Sequence, residues 1–330
     1  MPHVLVAGKI HAAGLALLKA APGVTFDYVE EVTTASYAPL IARADGLVIR
    51  TQPLTATEID GAERLQIVSR HGVGYDAVDI AALNARGIPL AIVGDVNSQS
   101  VAEQTLMLML ALAKRTLAHD HAARSGNWGY RNSFDSSELS GKQLLLLGFG
   151  RIGRKVAALA KAFGMDVSAH DTMVGEAAMR AAGVTPVHDL STAYAMADVI
   201  SVHIPLAGKD APIGAAELAR MKPTALLINT ARGGLIDETA LAAALAEGRV
   251  AGAGLDVFVS EPPAAGHALL ASGRTVVMPH TAGLSQESAM RMSVSSVENV
   301  LNFFAGALDA ALVVNRTALS PAVAQRLRVP

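Results

Sequence analysis

Gln143-Leu144-Leu145-Leu146-Leu147-Gly148-Phe149-Gly150-Arg151-Ile152-Gly153 is the stretch that decides the fold. Gln143–Leu147 is an apolar run with strand character. Lys155–Phe163 then reads as a helix, with Val156, Leu159, Ala160 and Phe163 at helical spacing. A Gly-x-Gly-x-x-Gly placed between a strand and a helix is a dinucleotide-binding turn. Gly148 permits the tight turn, Gly150 lets the backbone approach a pyrophosphate, and Gly153 lets the helix pack on the strand with its N-terminus toward the phosphates. Glycine-rich turns also arise for purely steric reasons, so a second sign is needed. Asp171, eighteen residues past Gly153, follows a second apolar strand, Asp166–Ala169. A carboxylate there can accept both ribose hydroxyls of an adenosine.

Outward from this motif the chain alternates strands and helices. Val4–Ala7, Gly46–Ile49, Ile67–Arg70 and Pro89–Ile92 read as short buried strands, with helices His11–Ala20, Thr57–Ala62 and Asp79–Arg86 between them. The pattern restarts after Gly141 with strands at Gln143–Leu147, Asp166–Ala169, Val199–His203, Ala225–Asn229, Gly252–Asp256 and Thr275–Met278. Such alternation means parallel sheets with helices on their faces. One long helix from Ser98 to about His119 and another at Gln286–Phe304 are expected to connect the two series. The expected class is therefore α/β, with two Rossmann-like, doubly wound domains and a cleft between them. Residues 1–98 with 288–330 would form a discontinuous substrate domain, and 99–287 an inserted dinucleotide-binding domain.

At 330 residues the chain suits two domains, and 51% hydrophobic against 17% charged residues indicates well-buried globular units. A net charge of −2 offers no reason to expect nucleic acid or an anionic membrane as partner. The chain has no cysteine, which removes disulfides, thiolate metal sites and cysteine nucleophiles, and no metal is expected. The N-terminus enters a strand directly, and the apolar run Gln104–Ala113 is about half a membrane span. A soluble, cytoplasmic protein is the expectation.

Three ionisable residues stand just past predicted strand ends: Arg232 in Thr230-Ala231-Arg232-Gly233-Gly234, Glu261 in Asp256–Pro262, and His280 in Pro279-His280-Thr281-Ala282-Gly283. Ligands of open parallel sheets bind at the carboxyl ends of strands, so all three should face one crevice. A guanidinium grips a carboxylate bidentately and polarises a carbonyl. An imidazole carries the proton that accompanies hydride transfer, and a carboxylate on its other nitrogen fixes the tautomer. Each residue alone is more often a solvated loop or turn residue. Their joint placement downstream of a nucleotide turn is what gives them meaning.

With these residues in view, the chain resembles the D-isomer-specific 2-hydroxyacid dehydrogenases, from about Leu47 to Arg316. The motifs that carry the resemblance are His71–Asp76, Asn97–Glu103, Gly148–Gly153, Asn229–Gly234, Asp256–Pro262 and Pro279–Gly283. The resemblance implies that Arg232 binds the substrate carboxylate and carbonyl, that His280 is the acid/base, and that Glu261 is its partner. It implies that the amides of Val73 and Gly74, with Asn97, meet the substrate. Asp256 would bind the nicotinamide carboxamide, with Ala282 and Gly283 beside the cofactor. Arg151 and Ile152 would sit by the pyrophosphate, and His203, Ile204, Pro205, Thr230 and Ala231 would line the cofactor. One departure is visible: the family usually carries Thr four residues after His203, where this chain has Ala207.

Asp171, followed by Thr172-Met173-Val174-Gly175 without Arg or Lys, argues for NAD over NADP, because a 2′-phosphate would meet its negative charge. The expected reaction interconverts a 2-keto acid and a D-2-hydroxy acid. Arg50, just past Gly46–Ile49, could meet a phosphate or second carboxylate, or be an innocent strand-end residue. Trp128, the only tryptophan, is either a dimerisation anchor or a simple buried surface residue. The resemblance implies a homodimer joined through the nucleotide domain. Two rival readings share the fold: a non-catalytic NAD-sensing corepressor, whose disordered tail has no counterpart here, and a phosphite or other small-anion dehydrogenase. Formate dehydrogenases fit less well, since they carry Gln where Glu261 stands.

Overall fold

The computed structural model describes residues 1–31, 33–206 and 211–328. Ala207, the departure from the family pattern, lies outside the described residues. The chain divides into two compact units, Met1–Asn97 with Leu284–Pro330, and Ser98–Gly283. Each is an α/β unit built on a parallel sheet. The first has five strands in the order Thr25–Val29, His3–Ala7, Gly46–Ile49, Ile67–Arg70, Leu90–Ala91. The second has seven, in the order Thr275–Val277, Gly252–Leu255, Leu226–Asn229, Val199–Val202, Gln143–Leu147, Asp166–His170, Thr185–Pro186.

Strands such as Leu226–Asn229 and Val199–Val202 are almost wholly buried, because helices cover both faces of a parallel sheet. That is why they read as continuous apolar runs. Helix Ser98–Ala113 supplies Leu106, Leu108 and Met109 to the same core as Leu144, Leu146 and Phe149. Among the described residues no helix is long and apolar enough to cross a membrane.

The expected long helix from Ser98 to His119 is instead two. It stops at Ala113, Arg115 adopts left-handed dihedrals (φ 52°), and a second helix runs Thr116–Arg124. The returning chain causes the break: the Ser137 amide donates to the Ala113 carbonyl (2.7 Å) and the Ser136 hydroxyl to that of Lys114 (3.2 Å). Those carbonyls are the ones a continuing helix would use. Strand Thr25–Val29 and helix Thr34–Ile41 were not anticipated. The strand carries Asp27 at its centre, bound to His3 (2.9 Å) and Arg43 (2.5 Å), so its apolar run is interrupted. The helix contains Pro39, which masks its pattern.

Candidate active site

The glycine turn sits at the carboxyl end of strand Gln143–Leu147, and helix Arg151–Ala162 starts directly after Gly150. Gly148 has φ 101°, and a Cβ there would lie 2.6 Å from the His203 carbonyl oxygen. A Cβ on Gly153 would lie 2.2 Å from the Gly148 oxygen. By contrast a Cβ on Gly150 meets nothing within 4 Å. Two glycines thus let the turn close, while the third faces open space beside a helix N-terminus, which is a cradle fit for a pyrophosphate.

Arg154 backs the turn by donating to the Phe149 carbonyl (3.2 Å) and lying over its ring. Asp171 is more deeply engaged than the ribose reading supposes. Its Oδ2 accepts the Phe149 amide (2.7 Å), and its Oδ1 accepts those of Met173 (2.7 Å) and Val174 (2.9 Å). Although burial opposes ionisation, these donors hold its pKa below the usual carboxylate value. His203 sits at the end of Val199–Val202 with Nε2 on the Ser201 hydroxyl (2.9 Å), and burial pushes its pKa down to about 4. Ile204 is half-buried and Pro205 exposed.

Arg232, Glu261 and His280 follow three consecutive strands of the same parallel sheet: Leu226–Asn229, Gly252–Leu255 and Thr275–Val277. His280 Nδ1 lies 2.6 Å from Glu261 Oε2, both side chains being partly exposed. The Arg232 turn is shaped by buried Asn229, whose Nδ2 donates to the Arg232 carbonyl (2.8 Å) and whose Oδ1 accepts the Ala231 amide (3.0 Å). The Thr230 hydroxyl meets that of Thr105 (2.9 Å), which itself donates to the Val101 carbonyl (2.8 Å).

His280 has φ 54°, a left-handed conformation rare for a residue with a side chain. Asp256 enforces it. The His280 amide donates to the Asp256 carbonyl (2.8 Å), and the amides of Thr281 and Ala282 donate one to each carboxylate oxygen (2.8 Å each). Asp256 is 1% exposed, and burial raises its pKa against the pull of those two amides. The residue that the resemblance assigns to the nicotinamide carboxamide is here the internal clamp of the histidine turn. The Ser100 hydroxyl closes the turn on the Ala282 carbonyl (2.6 Å).

The first unit has its own polar edge. Arg50 donates to the Lys9 carbonyl (3.1 Å), and Arg70 to the carbonyls of His71 (3.2 Å) and Ile49 (3.4 Å). Between them His71 is buried with neither ring nitrogen hydrogen-bonded among the described residues. Burial first, then Arg50 and Arg70, push its pKa down to about 4. Val73 and Gly74 are half-buried, and Asn97 has an unpartnered buried Oδ1. Sequence reading passed over Arg70, although its place beside His71-Gly72-Val73-Gly74 was the available signal. Among the described residues no group of His, Asp or Glu could hold a metal.

A parallel doubly wound sheet, with a glycine-rich turn and an acid–imidazole pair on its carboxyl edge, defines a nucleotide-binding dehydrogenase unit. The chain belongs to the D-isomer specific 2-hydroxyacid dehydrogenase family, whose NAD binding domain matches residues 106–282. It is 36% identical over 93% of its length to a D-3-phosphoglycerate dehydrogenase of Methanocaldococcus jannaschii, and spans 58% of that relative. The structure of a Thermus thermophilus protein superposes with a TM-score of 0.86 at 32% identity, covering 94% of this chain and 99% of the other. An NADPH-dependent glyoxylate/hydroxypyruvate reductase of Sinorhizobium meliloti gives 0.84 at 30% identity, with all of both chains covered.

Proposed function

We propose that the chain is an NAD-dependent oxidoreductase that interconverts a 2-keto acid and a D-2-hydroxy acid. The observation that carries this reading is the 2.6 Å bond from Glu261 Oε2 to His280 Nδ1. A carboxylate on Nδ1 fixes the proton there and stabilises the imidazolium, so Nε2 is the nitrogen that exchanges a proton with substrate. Arg232 pairs with the substrate carboxylate and draws charge onto the carbonyl oxygen as it becomes an alkoxide. When bound, the reduced nicotinamide supplies the hydride for the keto carbon. In oxidation His280 takes the hydroxyl proton instead. The left-handed backbone at His280, clamped by Asp256, supports a ring held for a task.

The cofactor is NAD on this reading, because Asp171 presents a carboxylate at the strand end where a 2′-phosphate would fall. The resemblance assigns the amides of Val73 and Gly74, with Asn97, to the substrate, and Arg50 and Arg70, if they face it, would suit a keto acid bearing a second anionic group. D-3-phosphoglycerate dehydrogenases among the relatives agree with that class. A homodimer through the nucleotide unit is also proposed, supported by Trp128 and Phe134, 72% and 89% exposed. Sedimentation of wild type and Trp128→Ala tests it.

Loss of NADH absorbance with glyoxylate, hydroxypyruvate, pyruvate, phenylpyruvate and 3-phosphohydroxypyruvate tests the activity. Turnover of the anionic substrate above pyruvate supports the reading. NADH binding without turnover of any of them favours the corepressor-like reading, and NAD reduction by phosphite alone favours the small-anion one. Equal kcat/KM with NADPH would reject the cofactor choice.

A further inference from the structure

Glu261 stands on the loop between strand Gly252–Leu255 and helix Ala268–Ala271. Its Oε1 accepts the amide of Phe258 (3.0 Å), so its distance from His280 depends on where the Phe258–Val259 backbone lies. Two residues outside the catalytic set hold that backbone. Glu238, first residue of helix Glu238–Ala246, accepts the Val259 amide on Oε1 (2.6 Å). Its Oε2 lies 3.0 Å from His267 Nε2, and the two side chains are only 18% and 24% exposed. His267 Nδ1 accepts the Leu269 amide (3.4 Å) as the cap of helix Ala268–Ala271, which leaves the proton on Nε2, where it donates to Glu238. The imidazole also meets the Phe258 ring edge-on, with centroids 5.6 Å apart.

The same backbone touches the Arg232 turn. A Cβ on Gly233 would fall 2.0 Å from the Phe258 carbonyl oxygen, so that glycine admits the loop against the residue next to Arg232. Phe258–Val259 is therefore the shared reference for the guanidinium turn, the carboxylate and, through Glu261, the imidazole.

We propose that Glu238 and His267 are positioning residues that set the Glu261–His280 pair, an inference that rests on the dehydrogenase reading given above. Without Glu238 the Val259 amide loses its acceptor, the loop moves, and Glu261 withdraws from His280. Displacements of this kind cost up to about 10²-fold in rate when catalytic geometry is tight.

The test compares wild type with Glu238→Ala, His267→Gln and His267→Asn. Gln places an amide donor near the position of Nε2, whereas Asn places an acceptor near that of Nδ1. In Glu238→Ala, kcat should fall roughly 10- to 10²-fold with KM for the keto acid little changed. The NADH Kd should stay unchanged, and the pH–rate profile should change as His280 loses its carboxylate partner. His267→Gln should retain most activity and His267→Asn should not. A parallel readout without turnover is the Nδ1 proton signal of His280, assigned by its absence in His280→Ala, which should lose its hydrogen-bonded downfield position in Glu238→Ala.

Folded Glu238→Ala with an unmoved rate profile and an unmoved Nδ1 proton signal overturns the proposal. So does an active His267→Asn beside an inactive His267→Gln, since His267 is then a helix cap alone. If Glu238→Ala does not fold, the two His267 variants decide. Should wild type turn over no keto acid, the functional reading fails while the Nδ1 proton signal still decides the positioning.

Discussion

The two units begin with the same backbone and put it to different use. Strand His3–Ala7 ends at Gly8 (φ 108°), whose amide donates to the Val29 carbonyl (2.9 Å). Strand Gln143–Leu147 ends at Gly148 (φ 101°), whose amide donates to the His170 carbonyl (2.8 Å). A helix follows each turn, and an acid follows the next strand: Glu30 in the first unit, Asp171 in the second. There the likeness ends. Where Gly150 faces open space, the first unit has Ile10, 7% exposed and part of a core cluster. Glu30 pairs with Lys9 on the turn itself (2.6 Å), whereas Asp171 gathers backbone amides. One turn is plugged and the other is open. On the proposed reading, nucleotide binding resides in a few side-chain positions grafted on a shared backbone plan.

Copying the plug into the second unit should break the difference most severely. Gly150→Ile introduces a side chain into space where, apart from the adjoining residues, no atom lies within 4 Å of the Cβ, so the unit should fold. NADH binding, followed by fluorescence, should disappear. A folded variant that still binds NADH would show that the open turn is not the phosphate cradle.

Next come the ionisable residues past the strand ends of the second unit. His280→Ala and Arg232→Ala should each lower kcat/KM by about 10²–10⁴-fold, the usual contribution of positioned acid–base and charge-stabilising groups. The NADH Kd should stay near wild type. Normal turnover in His280→Ala would remove the acid/base assignment.

The two strand-end acids give a smaller contrast. Asp171→Ala strips the acceptor from the Phe149 amide of the turn and from the Met173 and Val174 amides that follow Asp171, so NADH affinity should fall about tenfold, the scale of one lost charge-assisted hydrogen bond. Glu30→Ala removes an exposed pair with Lys9, and pairs of that kind contribute little. Its NADH affinity and Tm should match wild type. Equal losses in both variants would mean that the acids share a structural role.

The mildest effect concerns acid stability. His71 binds its proton near pH 4 in the folded chain against 6.5 for an ordinary histidine. Between those values the unfolded state holds more protons, so the stability from neutral His71 is complete above pH 6.5 and is lost as pH falls toward 4. His203 in the second unit follows the same sign but also bonds Ser201. His71→Leu should therefore flatten the fall of Tm across this window at little cost near neutrality, whereas His203→Leu should cost stability at every pH. A steeper acid fall in His71→Leu would contradict the buried neutral ring.

The local pattern of residues determined a good deal by itself. Apolar runs flanked by glycine announced both parallel sheets, because strands covered on two faces must be apolar throughout. The glycine spacing announced the nucleotide turn, and strand-end placement announced Arg232, Glu261 and His280 as candidates. Only tertiary structure decided what each polar group touches. It ended the helix at Ala113 through carbonyl partners twenty-odd residues away at Ser136 and Ser137. It turned Asp256 into the clamp of His280 and committed Asp171 to three amides. It also tied Glu238 and His267, separated by 29 positions, to the loop of Glu261. Periodicity reports which side of an element is buried, since burial repeats with the backbone. A hydrogen bond between distant segments leaves no period behind, and so the chain's polar wiring becomes visible only once it is folded.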